Sequence, residues 1–323
     1  MSGSLPAIAV LLDPDGPEPV GLDALDGRAD LRFTDADSLG EAVDGAQGLF
    51  LWDFFSTAVQ DVWDRCEDLE WIHVAAAGVD TLLFDDLTDS DVVVTNARGI
   101  FDGPIAEFVL ASVLAHAKLL HESADLQRER TWRHRETVRV QGKRALVVGT
   151  GAIGRACGRL LRAVGMSVHG AGRTAREGDA DFEQIHASAE IASYVHWADY
   201  VINAAPLTAA TTELFDAEVF AAMRPGAHFI NVGRGASVNE DDLVAALHDG
   251  PLDGASLDVF NTEPLPADHP LWQAPGARIS AHMSGDVVGW RDELAAQFVD
   301  NAQRWLEGRE LVNVVDKAAG FVR

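Results

Sequence analysis

Short apolar runs of strand length alternate with amphipathic segments along most of the chain. In the first third the runs are AIAVLL, GLFLW, WIHVAA and DVVVTN, and the turns between them are rich in Asp and Gly. A second series begins at Arg144, with RALVVG, SVHGAG, DYVINAA, AHFINVG, GASLDV and ARISAH. Buried strands that alternate with helices are typical of parallel sheets covered by helices on both faces. The pattern therefore predicts an α/β protein with two Rossmann-like or flavodoxin-like domains and a ligand cleft between them.

The boundary between the two series lies near residues 96–98. A helical pattern follows it, from about Pro104 to His121, with apolar residues at helical spacing. A last helix, from about Val287 to Leu306, and the tail LVNVV are long enough to return to the first domain. We therefore predict a discontinuous domain of residues 1–97 plus about 287–323, and an inserted central domain of residues 98–286.

Length and composition exclude several classes of protein. With 323 residues, of which 47% are hydrophobic, the chain can fill two cores, so disordered and fibrous architectures are excluded. No apolar run reaches the roughly 18 residues of a membrane helix, and the N-terminus does not resemble a signal peptide. The two cysteines, Cys66 and Cys157, have no CxxC neighbour, and the histidines form no HxxxH pair. We expect a cytoplasmic protein with neither a disulfide framework nor a metal site.

The charge balance is strongly acidic. The chain has 51 Asp and Glu residues against 25 Lys and Arg residues, which gives a net charge of -26. Such a surface repels nucleic acid and anionic membranes, so neither is expected as a partner. Only three of the basic residues are Lys, and acid-rich, lysine-poor sequences resemble those of salt-accumulating cells, where the Debye length falls to about 3 Å at molar salt. We therefore expect a halophilic protein; an acidic mesophilic one is the alternative.

The segment VVGTGAIG has the spacing GxGxxG, directly after a strand and at the start of a helix. In this context Gly149 suits a tight turn, Gly151 the close approach of a pyrophosphate, and Gly154 the packing of the helix on the sheet. Ala152 and Ile153 would present free backbone amides to the phosphates at the helix N-terminus. The segment predicts a dinucleotide site; a glycine-rich turn without a ligand is the alternative.

The end of the next strand bears on which nicotinamide cofactor is bound. Enzymes that prefer NAD usually have Asp or Glu there, because a carboxylate accepts hydrogen bonds from the ribose hydroxyls. Here Gly172 stands at that position, followed by Arg173 and Thr174. A guanidinium and a hydroxyl can bind a 2′-phosphate. The sequence predicts that NADP(H) is preferred and NAD(H) is a second cofactor; an ordinary solvated arginine is the alternative.

Three side chains with useful chemistry each follow a different strand. Arg234 lies in FINVGRGASVNEDDL, Glu263 in LDVFNTEPLP and His282 in ISAHMSG. The carboxyl ends of parallel strands form the edge where ligands of open α/β folds bind. An imidazole exchanges protons near neutral pH, a neighbouring carboxylate favours the imidazolium, and a guanidinium binds carboxylates and polarises carbonyls. This trio predicts hydride transfer to a 2-keto acid.

The same segments resemble the D-isomer-specific 2-hydroxyacid dehydrogenase family, in particular its glyoxylate/hydroxypyruvate reductases. The resemblance is carried by VVGTGAIGRACGRLLRAVGM, INAAPLTAATTELF, NVGRGASVNEDDLVAAL, GASLDVFNTEPLP with HPLW, and ISAHMSG. Upstream, VAAAGVD and TNARGIFDGPIAEFVL resemble the substrate loop and hinge of that family. Two positions depart from the family pattern: Ala281 replaces a proline before the histidine, and Asn239 replaces an acid.

The resemblance implies a role for individual residues. The trio would be catalytic, Asp258 would contact the nicotinamide carboxamide, and Pro206 would line the pocket of the ring. The substrate carboxylate would be bound by Arg234 and by the backbone amides of Ala76, Ala77, Gly78 and Val79. The central domain would bind the dinucleotide and the discontinuous domain the substrate. The implied reaction is the reversible NAD(P)H-dependent reduction of small 2-keto acids to D-2-hydroxy acids.

Other readings of the sequence stay open at this point. A non-catalytic protein that senses the dinucleotide, or a dehydrogenase of another small anion, would share the fold. The segment RERTWRHRE is expected to be an exposed arm that packs in a homodimer. Trp52, Phe54, Phe101 and Trp290 either line the substrate pocket or pack in the core, and His73, inside WIHVAA, is expected to be an interior residue.

Overall fold

The computed structural model describes residues 5–322, which form two compact units. One unit contains the chain up to Ile100 together with the segment from Val287 onward, and the other is Phe101–Asp286. Each is built on a sheet of parallel strands with helices, apart from one antiparallel edge strand in the second unit. The predicted α/β class with two parallel-sheet units is therefore confirmed.

The first unit has a five-stranded parallel sheet in the order β2-β1-β3-β4-β5, the strand order of flavodoxin-like folds. The strands are β1 (Ala7–Leu11), β2 (Asp30–Thr34), β3 (Gly48–Leu51), β4 (Trp71–Val74) and β5 (Val93–Asn96). The α-helices of this unit are α1 (Leu39–Val43), α2 (Ala58–Asp61), α3 (Asp85–Asp89) and α10 (Trp290–Leu306).

The core of the first unit explains why its apolar runs form strands and why α10 returns to it. Phe298 of α10 is fully buried and stacks on Phe50 of β3, with 3.8 Å between the ring centroids. His73 of β4 is also fully buried, as expected from its place in an apolar run, and its Nδ1 lies 2.8 Å from Thr95 Oγ1. The sequence did not predict β2, because this edge strand has only exposed and half-buried residues and lacks an apolar run.

The second unit has an eight-stranded sheet in the order β13-β12-β11-β10-β6-β7-β9-β8. The strands are β6 (Arg144–Val148), β7 (Ser167–Gly172), β8 (Arg176–Glu177), β9 (Gln184–Ala187), β10 (Tyr200–Asn203), β11 (Ala227–Asn231), β12 (Leu252–Leu257) and β13 (Ala277–Ile279). The α-helices are α4 (Asp102–Ala117), α5 (Leu120–Arg128), α6 (Ala152–Ala163), α7 (Ile191–Tyr194), α8 (Ala217–Ala222) and α9 (Glu240–His248). The direction of the strand order reverses between β6 and β10, which is where doubly wound sheets bind ligands.

Short 3₁₀ helices complete the two units. They lie at Leu22–Leu25, Trp63–Arg65, Ser188–Glu190, Val195–Trp197, Gly235–Ser237 and Pro270–Trp272. Within residues 5–322, no single helix is both long and apolar enough to cross a membrane. Helices α4 and α5 together reach that length and composition, but they are bent by 62° at their junction.

The helix predicted from about Pro104 to His121 is in fact interrupted. Helix α4 ends at Ala117 and α5 begins at Leu120, because Leu119 adopts a left-handed conformation with φ of 51°. Strands β8 and β9 were also not predicted. They are two and four residues long and carry polar side chains, so they show no apolar run.

Candidate active site

The GxGxxG segment forms a cradle at the start of α6. A Cβ at Gly149 would collide with the carbonyl of Ala204, and a Cβ at Gly154 would collide with the carbonyl of Gly149. A Cβ at Gly151, in contrast, would meet no atom within 4 Å. Gly149 and Gly154 are therefore needed for packing, and Gly151 leaves open space before the N-terminus of α6. An anion is favoured at such a place, so this cradle fits the pyrophosphate of a dinucleotide.

The end of β7 is the position at which the ribose of a dinucleotide is usually bound. A Cβ at Gly172 would lie 2.9 Å from Oγ1 of Thr150, so a larger residue there would crowd the cradle. Arg173 and Thr174 follow in the exposed turn between β7 and β8. A guanidinium and a hydroxyl thus stand where an acid would otherwise be expected.

His282 and Glu263 of the trio contact each other directly. Nδ1 of His282 lies 2.7 Å from Oε2 of Glu263, and the backbone amide of Phe260 donates to Oε1 of Glu263 at 2.8 Å. Both side chains are about one third exposed, at 34% for His282 and 30% for Glu263. Burial raises the pKa of Glu263, but the hydrogen bonds from His282 and Phe260 and the charge of His282 outweigh this and lower it. Glu263 is therefore ionised at neutral pH and accepts from Nδ1, which leaves Nε2 as the nitrogen for proton exchange.

The backbone around His282 is held by one buried carboxylate. Asp258, fully buried, accepts hydrogen bonds from Ser280 Oγ at 2.6 Å, from the amide of Met283 at 3.0 Å and from the amide of Ser284 at 2.8 Å. The amide of His282 donates to the Asp258 carbonyl at 2.8 Å, and His282 has φ of 48°. A side chain other than glycine at positive φ is sustained only by surrounding contacts. Asp258 therefore fixes this loop although Ala281 is not a proline.

Arg234 lies beside the turn that holds Glu263. It follows β11, and its neighbour Gly235 packs so closely on Phe260 that a Cβ would collide with the Phe260 backbone. Strands β11, β12 and β13 are neighbours in the sheet, so Arg234, Glu263 and His282 follow three adjacent strands at one edge. The structure thus brings the three residues into one neighbourhood. Their catalytic roles stay predictions.

A buried polar network that the sequence analysis missed supports Arg234. Nδ2 of Asn203 donates to Oδ1 of Asn231 at 2.9 Å and to Oγ of Ser237 at 2.6 Å. Asn231 and Ser237 in turn donate to the Arg234 carbonyl, at 3.2 and 2.6 Å. The signal in the sequence is that Asn203 and Asn231 are the last residues of adjacent strands, β10 and β11.

The loop after β4 contains the residues expected to bind the substrate carboxylate. The carbonyls of Ala76 and Ala77 accept from the Ala97 amide at 2.9 Å and from Asn96 Nδ2 at 2.5 Å. Within the part of the chain that the structure describes, the amides of Ala76–Val79 donate to no other protein group. The loop is therefore held through its carbonyls while its amides stay available to a ligand.

The remaining candidates are four aromatic residues and Pro206, and they differ in burial. Trp52, Phe101 and Trp290 are buried, and Trp52 Nε1 donates to the Pro17 carbonyl at 2.7 Å, which favours core packing for these three. Phe54 is half-buried, and its ring centroid lies 4.6 Å from that of the exposed Phe55. Pro206 is exposed in the turn after β10, where its carbonyl accepts from Thr211 Oγ1 at 2.7 Å. The predicted cofactor contacts of Pro206 and Asp258 stay predictions.

Comparisons with known proteins agree on one family. Residues 110–284 match the family description "D-isomer specific 2-hydroxyacid dehydrogenase, NAD binding domain". Glyoxylate/hydroxypyruvate reductase A of Serratia proteamaculans is 33% identical over 67% of this chain and 68% of its own length. (S)-sulfolactate dehydrogenase of Chromohalobacter salexigens is 32% identical over 75% of this chain and 79% of its own length. A D-isomer specific 2-hydroxyacid dehydrogenase of Xanthobacter autotrophicus, solved with NADPH and MES, has a TM-score of 0.83 and 29% identity, covering 98% of this chain and 100% of its own.

Proposed function

We propose, from the premise that the chain belongs to the D-isomer specific 2-hydroxyacid dehydrogenase family, that it reduces small 2-keto acids to D-2-hydroxy acids and prefers NADP(H). As a member of this family it is an NAD(P)-dependent oxidoreductase. The observation that carries the proposal is the hydrogen bond from His282 to the ionised Glu263, on a rigid loop next to Arg234. This is an acid–base pair of the kind that carbonyl reduction uses, and Arg234 follows the neighbouring strand β11.

His282 acts as the general acid in reduction and as the general base in oxidation. Glu263 accepts from Nδ1, which orients the ring and stabilises the imidazolium, so that Nε2 holds the proton that goes to the carbonyl oxygen. In the reverse direction, neutral His282 takes a proton from the substrate hydroxyl at Nε2. The nicotinamide cofactor, when bound, supplies or receives the hydride.

Charged and polar groups bind the substrate at its carboxylate. Arg234 pairs with the carboxylate and polarises the neighbouring carbonyl, because a guanidinium donates two parallel hydrogen bonds. The backbone amides of Ala76–Val79 are proposed as further donors to a substrate carboxylate, which agrees with the availability of these donors. Relatives named for glyoxylate, hydroxypyruvate and sulfolactate act on short acids, which supports a small substrate here.

The cofactor preference follows from the ribose end of the site. Gly172 supplies no carboxylate to repel a 2′-phosphate, and Arg173 with Thr174 supplies a charge and a hydroxyl to bind it. The solved relative from Xanthobacter autotrophicus holds NADPH, which supports this preference.

One experiment tests the whole proposal. Purified protein is assayed with NADPH and with NADH against glyoxylate, hydroxypyruvate, pyruvate and a branched 2-keto acid, at low and at molar salt, followed by chiral analysis of the products of the last three acids. We expect faster turnover with NADPH and a D-2-hydroxy acid as product. Absence of reduction with every keto acid, or an L product, would refute the proposed reaction. Faster turnover with NADH would refute the cofactor preference alone.

We also propose that the protein is a halophilic homodimer of a reducing compartment. Trp132 is fully exposed in the arm RERTWRHRE, residues 128–136, which carries four arginines in a chain of net charge -26. An exposed tryptophan on a basic arm suits the acidic surface of a second copy.

Cys66 and Cys157 are buried free thiols, and burial raises their pKa values to about 11 and about 12. Unpaired thiols agree with a reducing environment.

A further inference from the structure

Ion pairs connect helix α6 to the hairpin formed by β8 and β9, and none of them involves Arg234, Glu263 or His282. Nη1 of Arg155 donates to Oδ2 of Asp181 at 2.7 Å, and Nη2 donates to Oδ2 of Asp179 at 2.8 Å. Arg155 lies in the first turns of α6, the helix whose N-terminus faces the dinucleotide cradle. The hairpin begins directly after Arg173 and Thr174. One guanidinium therefore connects the pyrophosphate end of the cradle with the segment that carries the ribose ligands.

The turn of the hairpin is built around Asp179. Its Oδ1 accepts from the amides of Asp181 at 2.9 Å and Phe182 at 3.2 Å, and its own amide donates to the Phe182 carbonyl at 2.8 Å. The hydrogen bond from Arg155 is the largest cause that lowers the pKa of Asp179 to about 2, so this carboxylate is ionised at every working pH. Arg155 thus binds the charged group that shapes the turn.

Packing holds the turn against α6 at two further places. Phe182 is fully buried, and a Cβ at Gly158 of α6 would lie 3.0 Å from its ring. Nη1 of Arg162, two turns beyond Arg155, donates to the carbonyl of Ala180 at 2.9 Å. The hairpin is therefore held by an apolar contact, by Arg162 at a backbone carbonyl, by Arg159, whose Nη1 lies 3.4 Å from Oδ1 of Asp181, and by the double contact of Arg155 to both carboxylates. Only Arg155 makes the double contact.

We propose that Arg155 is a positioning residue for cofactor choice, holding the hairpin so that Arg173 and Thr174 stay where a 2′-phosphate of the dinucleotide binds. The inference rests on the proposed NADP(H) preference. Without Arg155, the carboxylates of Asp179 and Asp181 lose their closest shared cation and repel one another, which loosens the turn. Asp181 keeps its longer contact to Arg159, whereas Asp179 loses its arginine, and the exposed charge of Asp179 repels a phosphate more than a hydroxyl. Both effects weaken the binding of ligands with a 2′-phosphate and have little effect on the binding of ligands without it.

The role of Arg155 is tested without turnover by measuring, with calorimetry, the binding of two adenosine fragments to the full chain. The ligands are 2′,5′-ADP, which carries the 2′-phosphate, and 5′-AMP, which lacks it. The variants are Arg155→Gln, which removes the charge, and Arg155→Lys, which keeps it. Arg162→Gln is the matched control, because Arg162 lies on the same helix and contacts the same turn through a backbone carbonyl.

We expect Arg155→Gln to raise the Kd for 2′,5′-ADP about tenfold, in line with the loss of a charge-assisted contact, and the Kd for 5′-AMP by less than about threefold. Arg155→Lys restores part of the difference, and Arg162→Gln keeps the wild-type ratio of the two Kd values. Equal weakening of both fragments by Arg155→Gln, or an unchanged ratio, would overturn the role of Arg155. A wild-type chain that binds both fragments alike would instead refute the NADP(H) preference on which the inference rests.

Discussion

Replacing Glu263 with Gln tests the acid–base pair with minimal change of shape. In the wild type, Oε1 accepts from the Phe260 amide and Oε2 accepts from Nδ1 of His282. A Gln that keeps its oxygen towards Phe260 turns its NH2 towards Nδ1, so the imidazolium faces a donor. A flipped Gln turns the NH2 towards the Phe260 amide instead. Either orientation loses one hydrogen bond, and both lose the charge that favours the imidazolium.

The size of the effect follows from the exposure of the pair. A hydrogen bond to a charged group contributes about 1.5–3 kcal/mol. Because both side chains are about one third exposed, at 34% and 30%, solvent screens part of this, and we take the lower end. About 1.5–2 kcal/mol corresponds to a loss of roughly 10–30-fold in kcat/KM for keto-acid reduction at neutral pH.

The assay is the pH dependence of kcat/KM for keto-acid reduction from weakly acidic to weakly alkaline pH. Because the pKa of Glu263 is lowered, this carboxylate stays ionised over that range, and it loses its charge only at more acidic pH. Glu240→Gln is the control. Glu240 accepts from the Asn261 amide at 2.8 Å and lies 3.3 Å from Nε2 of His269, so the same change is made at a second Glu–His pair. A Glu263→Gln enzyme with wild-type kcat/KM would refute the reasoning, as would an equal loss in Glu240→Gln.

Four further outcomes are expected. His282→Ala should lower kcat by about two to four orders of magnitude at unchanged dinucleotide affinity, measured by kinetics and fluorescence titration; a near-normal rate would exclude the general acid. Burial lowers the pKa of His73 to about 3, whereas the unfolded chain binds a proton at this histidine near pH 6.5, so the free energy of unfolding falls as pH drops below about 6.5. In urea unfolding between pH 6.5 and 5, the free energy of unfolding of His73→Leu should therefore fall by about 2 kcal/mol less than that of the wild type. Trp132→Asp should shift a dimer to monomer in sedimentation, whereas Asp at the half-exposed Trp272 should not. The urea midpoint should rise from low to molar salt, and a midpoint highest at low salt would contradict a halophilic protein.

The fold was predictable where burial is complete and less so elsewhere. Strands such as β1 and β10 are buried at every position, so their apolar runs stand out in the sequence. Strands β2, β8 and β9 lie at or near sheet edges and expose part of their side chains, which removes the signal. The end of α4 depends on the backbone conformation of Leu119, which no apolar pattern encodes.

The sequence allowed us to predict where the site residues follow strands along the chain, but it predicted few of the contacts that hold them. Arg234, Glu263 and His282 follow three strands of one parallel series, so their convergence at one edge could be inferred from order alone. The groups that hold them are ordinary polar residues whose partners are distant in the chain. Asp258 reaches Ser284 across 26 positions, and Asn203 reaches Asn231 across 28. Such pairings become visible only when the strands are in place.

The proposed ligands are anions, and the net charge of -26 opposes their approach to the protein. The opposition is long-ranged at low salt, where the Debye length is about 30 Å, and it nearly vanishes at molar salt, where that length is about 3 Å. Direct contacts such as the 2.7 Å pair of Arg155 and Asp181 are shorter than this, so salt screens them much less. The local arginines can therefore select an anion whose approach the rest of the surface opposes. On this reasoning, we expect added salt to lower the KM for the keto acid until the direct contacts of the site determine it.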